Sequence, residues 1–145
     1  MSNTFSAYDI RGHVDGSLTT EHVWNVGKAV AEWLPGEGPI AIATREDTDP
    51  QTLHAFVEGV LLQGRDILET GEDNQQGLIA LLRDGQADGG ALITHDALQG
   101  IEIITLLDAR GTGVTAESGL TEIGELVDAG NFMPAAKKGE IKIAV

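Results

Sequence analysis

The strongest constraint on this chain is an alternation. Short apolar runs take turns with longer stretches whose apolar residues recur every three or four positions. The first helical stretch starts behind Thr19 or Thr20 as N-cap and runs to about Leu34, with Val23, Val26, Val30 and Trp33/Leu34 on one face; Pro35-Gly36 and Gly38 break it. Ile40-Ala41-Ile42-Ala43 fits a buried strand. Asp49-Pro50 reads as an N-cap followed by proline at the first helical position, and Leu53, Phe56, Val57, Val60 and Leu61 form the apolar face up to Gly64.

The alternation then repeats. Asp66–Glu69 reads as a strand ending at Gly71, and a third helix is expected from about Asn74 to Asp84 with Leu78, Leu81 and Leu82 inward. Ala91-Leu92-Ile93-Thr94 and Ile101–Leu107 read as strands on either side of a short polar loop. Ser118 is the expected cap of a last helix through Ala129, closed by Gly130, and the alternating tail Ile141–Val145 fits an edge strand. Strands and helices in turn predict a three-layer α/β/α sandwich with a mixed, mostly parallel sheet. No repeat or linker divides the chain, so residues 1–132 are expected to form one domain, with 133–145 as a C-terminal tail.

Composition narrows the function. The 145 residues hold 9 Lys+Arg against 23 Asp+Glu, a formal net charge of −14. That balance argues against nucleic acid, whose phosphates need clustered Lys and Arg, and against anionic membranes. Cysteine is absent, which excludes disulfides and thiolate chemistry. Apolar runs fall short of the ~20 residues that span a bilayer, and Met1-Ser2-Asn3-Thr4 has no signal-peptide character, so the expected location is the cytoplasm. His22 and His54 lie on separate helices without paired spacing, and Gly111-Thr112-Gly113 lacks both a third glycine and a P-loop lysine. No metal or nucleotide cofactor is therefore expected.

In an open α/β sheet, ligands bind beyond the C-terminal strand ends, which directs attention to the loops after Ala43, Glu69 and Thr94. Three segments there or near the N-terminus could carry chemistry: Tyr8-Asp9-Ile10-Arg11-Gly12, Thr44-Arg45-Glu46-Asp47 and Thr94-His95-Asp96. Arginine presents a planar donor fork suited to phosphate, so Arg11, Arg45 and His95 could converge on an anion. Each has a plainer reading too. Asp9 and Arg11 could simply fix an N-terminal turn, Thr94 could be an ordinary strand-end residue, and His95 a hydrogen-bonding one. Asp47 and Asp49 are close enough to suggest a cation site, although Asp49 already has a capping role. Trp24 and Trp33 fit core or interface positions.

Tyr8-Asp9-Ile10-Arg11-Gly12, followed by a helix, a strand leading to Arg45 and a strand leading to Thr94-His95-Asp96, resembles the first domain of the α-D-phosphohexomutases, the phosphoglucomutase/phosphomannomutase family. The resemblance covers about Phe5 to Phe132. It implies phosphotransfer on a hexose phosphate, with a phosphoserine in a loop like T-(A/G)-S-H-N-P. Carried onto this chain, Thr94 and His95 occupy the catalytic loop, and Tyr8, Arg11 and Arg45 are candidate phosphate ligands.

The departures are specific. His95 matches the family's histidine and Asp96 replaces its asparagine. Thr94 either stands in for the serine or matches the motif's leading threonine, which leaves no nucleophile. The family's lysine after the loop becomes Gly100-Ile101-Glu102, G-R-D-x-R becomes Thr44-Arg45-Glu46-Asp47-Thr48, and Asp73-Asn74-Gln75 stands where a T-P pair is expected. The family's Mg²⁺ loop and its sugar- and phosphate-binding loops belong to later domains beyond this sequence, so no cofactor is expected in this chain itself. Two readings follow: a catalytically inactive binding, regulatory or assembly module, or an active phosphohexomutase component completed by other chains. A face that packs against a neighbouring domain in the family predicts a homodimer or a partner chain here.

Overall fold

The computed structural model describes residues 8–13, 16–72 and 75–144. Its elements run β1 (Ile10–Gly12), α1 (Thr20–Trp33), β2 (Ile40–Thr44), α2 (Pro50–Leu62), β3 (Ile67–Glu72), α3 (Gln75–Arg83), β4 (Gly89–Asp96), β5 (Ile101–Leu107), α4 (Thr121–Ala129) and β6 (Ile141–Ile143). Thr19 caps α1, its hydroxyl accepting the His22 N–H at 3.2 Å, and Asp49 caps α2 with Pro50 at the first turn. The expected start of the third helix at Asn74 lies outside the described residues.

The described strands form one six-stranded sheet in the order β1-β5-β4-β2-β3-β6. β2 pairs in parallel with β3 and β4, and β3 with β6, whereas β5 runs antiparallel to both β4 and β1. Every strand except β5 therefore points the same way. The C-terminal ends of β1, β2 and β4 and the start of β5 meet at one end of the sheet.

Alternation of side chains along each strand divides two cores. Ile40, Ile42, Ile67, Ile93 and Ile104 pack under α1, α2 and α4, while Ala41, Ala43, Leu92 and Leu107 pack under Leu78 and Leu82 of α3. This is the expected α/β/α sandwich. On the first face α1 and α2 touch backbone to backbone. A methyl group at Gly27 would lie 2.3 Å from the Phe56 carbonyl oxygen, and one at Gly59 would lie 2.2 Å from that of Trp24. Trp24 also stacks beneath the Lys28 ammonium, 3.3 Å from the ring centroid, while the Trp33 indole donates to Glu122 Oε2 at 3.1 Å.

Two local expectations change. Residues 10–12 are a strand instead of a turn: Ile10, fully buried, pairs with Ile104 of β5, and three residues are too few for an alternation to show in sequence. At the last helix Thr115, not Ser118, is the cap. Thr115 Oγ1 accepts the Ser118 N–H at 3.3 Å and Ser118 Oγ accepts the Thr115 N–H at 2.8 Å, a reciprocal capping box. One π-helical turn, Ala116–Leu120, then precedes α4, with Gly119 pressed against the Trp33 ring. β6 occupies the sheet edge beside β3, with Ile141 and Ile143 exposed. None of the described helices is long and apolar enough to cross a membrane.

A candidate ligand cleft at the C-terminal strand ends

The β2–α2 loop is pinned to the sheet by its own polar groups. Thr48 Oγ1 accepts the Arg45 N–H at 2.8 Å and donates to the Ile93 carbonyl at 2.6 Å. Asp49 closes the first turn of α2, accepting from Gln51 N at 3.4 Å and from the Thr52 hydroxyl at 3.0 Å. Across the gap, β4 and β5 form a hairpin. Asp96 Oδ1 accepts the N–H groups of Leu98 and Gln99 at 3.0 and 3.3 Å, and Gly100, at φ +67°, takes the left-handed position that suits glycine. His13, just past β1, places Nδ1 3.0 Å from the Gly100 carbonyl, so its hydrogen sits on Nδ1.

Between these segments lies a cleft of about 780 Å³ lined by His13, Gly16, Asp47, Thr48, Asp49, Pro50, His95, Gly100 and Glu102. His95 and Glu102 are directly opposed in the hairpin, so both project to the α1/α2 side of the sheet. The imidazole Nδ1 and Glu102 Oε2 form a close hydrogen-bonded ion pair. That hydrogen bond, reinforced by the charges of Glu102, Asp47 and Asp49, raises the His95 pKa above the ordinary imidazole value against the opposing effect of burial. The Glu102 residue is only 1% exposed, and its second oxygen, Oε1, has no hydrogen-bond donor among the described residues.

Of the five residues expected to form a site, His95 alone lines this cleft. The expected loop from Thr94 is shorter than read, because β4 continues through Asp96. Thr94, opposite Ile103, therefore shares the α3 side with Leu92, on the other side of the sheet from His95. The Arg11 guanidinium makes a two-point bond to Asp9, Nε–Oδ1 2.9 Å and Nη2–Oδ2 2.6 Å, so the chain supplies its own carboxylate to that fork. Arg45 and Tyr8 are exposed, Arg45 just beyond β2 and Tyr8 just ahead of β1.

The cleft's chemistry is thus unlike a phosphate cradle. Among the described residues no lysine or arginine lines it, and three carboxylates stand against two imidazoles. The hydroxyl that lines it, on Thr48, already donates to Ile93. Among the described residues no group of three or more His, Asp or Glu is arranged to hold a metal ion. What the arrangement can do is hold a proton on the His95–Glu102 pair and present carboxylate oxygens to a donor. Sequence reasoning missed His13, for which only its place behind Gly12 gave a signal, and read Glu102 as a lost lysine instead of the partner of His95.

Comparison with known proteins gives the family. A family model described as phosphoglucomutase/phosphomannomutase, alpha/beta/alpha domain I, matches residues 2–131. A phosphomannomutase of Salmonella typhimurium is 25% identical over 132 residues, covering 90% of this chain and 29% of the relative. A phosphomannomutase of Klebsiella pneumoniae is 24% identical, covering 95% of this chain and 90% of the relative. Among solved structures, a phosphoglucomutase/phosphomannomutase family protein from Burkholderia thailandensis superposes with a TM-score of 0.78 at 16% identity, over 99% of this chain and 33% of that one. The Paramecium protein pp63/parafusin gives a TM-score of 0.67 at 11% identity, over 84% of this chain and 24% of that one. The chain thus spans less than a third of the Salmonella relative and about a third or less of both solved chains.

Proposed function

Because the chain belongs to the phosphoglucomutase/phosphomannomutase family and matches its first α/β/α domain, we propose that it keeps this fold without phosphotransfer, as a cytoplasmic ligand-binding or assembly module. The charge of the cleft carries this reading. Phosphoryl transfer depends on positioning and on neutralising charge at the transferred group. Here the neutralising cations are replaced: Glu102 stands where the resemblance expects lysine, Thr48 where it expects arginine, and Arg11 is engaged by Asp9. Thr94 lies on the opposite side of the sheet from the imidazole that would take its proton.

Incubation of the chain with glucose bisphosphate, followed by intact-mass analysis, tests this. The expected result is no added phosphoryl group. A phosphoryl group on Thr94 would overturn the reading in favour of an active phosphohexomutase component that takes a hexose phosphate and is completed by other chains. The assembly part of the proposal rests on the exposed apolar side chains of Ile141 and Ile143 on the edge strand β6. Light scattering at micromolar concentration is expected to show a homodimer, and a monomer would remove that part.

A further inference from the structure

We infer that the cleft takes a primary ammonium group, held by carboxylate oxygens of Asp47 and Glu102. The inference rests on the reading of this cleft as a non-catalytic ligand site and names the ligand's chemistry. Its volume, about 780 Å³, lies within the roughly 300–1,000 Å³ of small-molecule sites. Among the described residues its lining carries no lysine or arginine to receive an anion. Even with both imidazoles counted as charged, the three carboxylates among the described lining residues outnumber the two cations. The N-terminus of α2 opposes them with about half a unit charge, too little to reverse the sign, and Asp49 already caps it.

Glu102 supplies the second observation. Its side chain is 2% exposed, it lines the cleft, and Oε1 lacks a donor among the described residues. A buried carboxylate oxygen in that state is costly, and a donor arriving through the cleft would relieve the cost. The acceptors left over also select the cation. Glu102 has given Oε2 to His95, and both oxygens of Asp49 serve α2. Single oxygens from separate segments suit the three divergent donors of an ammonium better than the parallel fork of a guanidinium. They also fail to form a metal-ligand group.

Backbone-amide NMR of the full chain, titrated in parallel with putrescine, inorganic phosphate and magnesium chloride at constant ionic strength, tests the inference. Putrescine is expected to give saturating shifts at Asp47, Thr48, Asp49, His95 and Gly100. Glu102→Gln is expected to weaken it roughly tenfold or more, the loss of a charge-assisted hydrogen bond. Asp47→Asn, on an exposed loop without a capping role, is expected to weaken it a few-fold, and reports on the cleft even if the Glu102 variant fails to fold. Saturating shifts with phosphate would overturn the inference. So would saturation by magnesium at lower concentration than putrescine, or putrescine shifts scattered over the acidic surface without saturation. A chain that takes up no phosphoryl group and does not bind putrescine loses this inference and keeps the function proposed above.

Discussion

The two ends of the sheet use buried charge in opposite ways. At the N-terminal strand ends, Arg65 is 6% exposed in its side chain and its guanidinium is fully engaged. It donates to the carbonyls of Ala31, Leu34, Pro35 and Gly38 at 3.2, 2.6, 3.4 and 3.1 Å and to Asp88 Oδ2 at 2.9 Å. Asp88 Oδ2 in turn accepts the Gly38 N–H at 2.7 Å. One cation thereby gathers the end of α1 and the chain ahead of β2, β3 and β4. At the C-terminal ends, Glu102 is buried as deeply but has one partner, His95, and one oxygen with none among the described residues. A satisfied network fixes structure, whereas an incomplete one leaves capacity for a ligand.

Substitutions can break that contrast. The largest effect is expected for Arg65→Ala, which leaves the carbonyls of Ala31 and Leu34 without their donor in the interior and removes the partner of Asp88. Each buried acceptor left without a donor costs about 1–3 kcal/mol, so urea denaturation should show a loss of about 3 kcal/mol or more. If Arg65→Ala cost less than about 1 kcal/mol, the network would not be structural.

Next comes the α1–α2 contact. Gly59→Ala forces a methyl group against the Trp24 carbonyl and is expected to cost about 1–3 kcal/mol by overpacking, read as a lower denaturation midpoint with an unchanged slope. An unchanged midpoint would mean the helices separate without cost.

Glu102→Gln sharpens the comparison from the cleft side. The His95 pKa is raised in the fold, so the pair's stabilisation is fully present below the ordinary imidazole value of 6.5 and fades as pH rises through the raised value. Denaturation across that window should show the fade in the wild type and not in Glu102→Gln, whose His95 resonances should titrate closer to 6.5. Identical titration in the two proteins would contradict the pairing. The smallest effect is expected for Thr94→Val, on the other side of the sheet. His95 and the cleft amides should keep their chemical shifts, and movement of the His95 ring signals would place Thr94 in the same site after all.

Much of this was legible from pattern. Apolar spacing and caps located α1, α2 and the strands Ile40–Thr44 and Ile101–Leu107, because those signals are local. β1 was not legible, since its only assurance is the burial of Ile10 against Ile104, a contact far along the chain. At the site, the sequence marked His95 and noted the change to Glu102 but did not join them. Joining them needs the hairpin register, which depends on β4 running on through Asp96 to a turn at residues 97–100. The same register separates Thr94 from His95, neighbours in sequence that the pleat sends to opposite faces.

The central claim is that acidic side chains have replaced the phosphate chemistry of this cleft. Its most direct test follows the His95 imidazole signals by NMR while mannose phosphate is added to the wild-type chain at constant pH and ionic strength. The account predicts that these signals stay in place throughout the titration. A saturating shift of His95, accompanied by the amides of Asp47 to Asp49, would show a phosphate-binding cleft and contradict it.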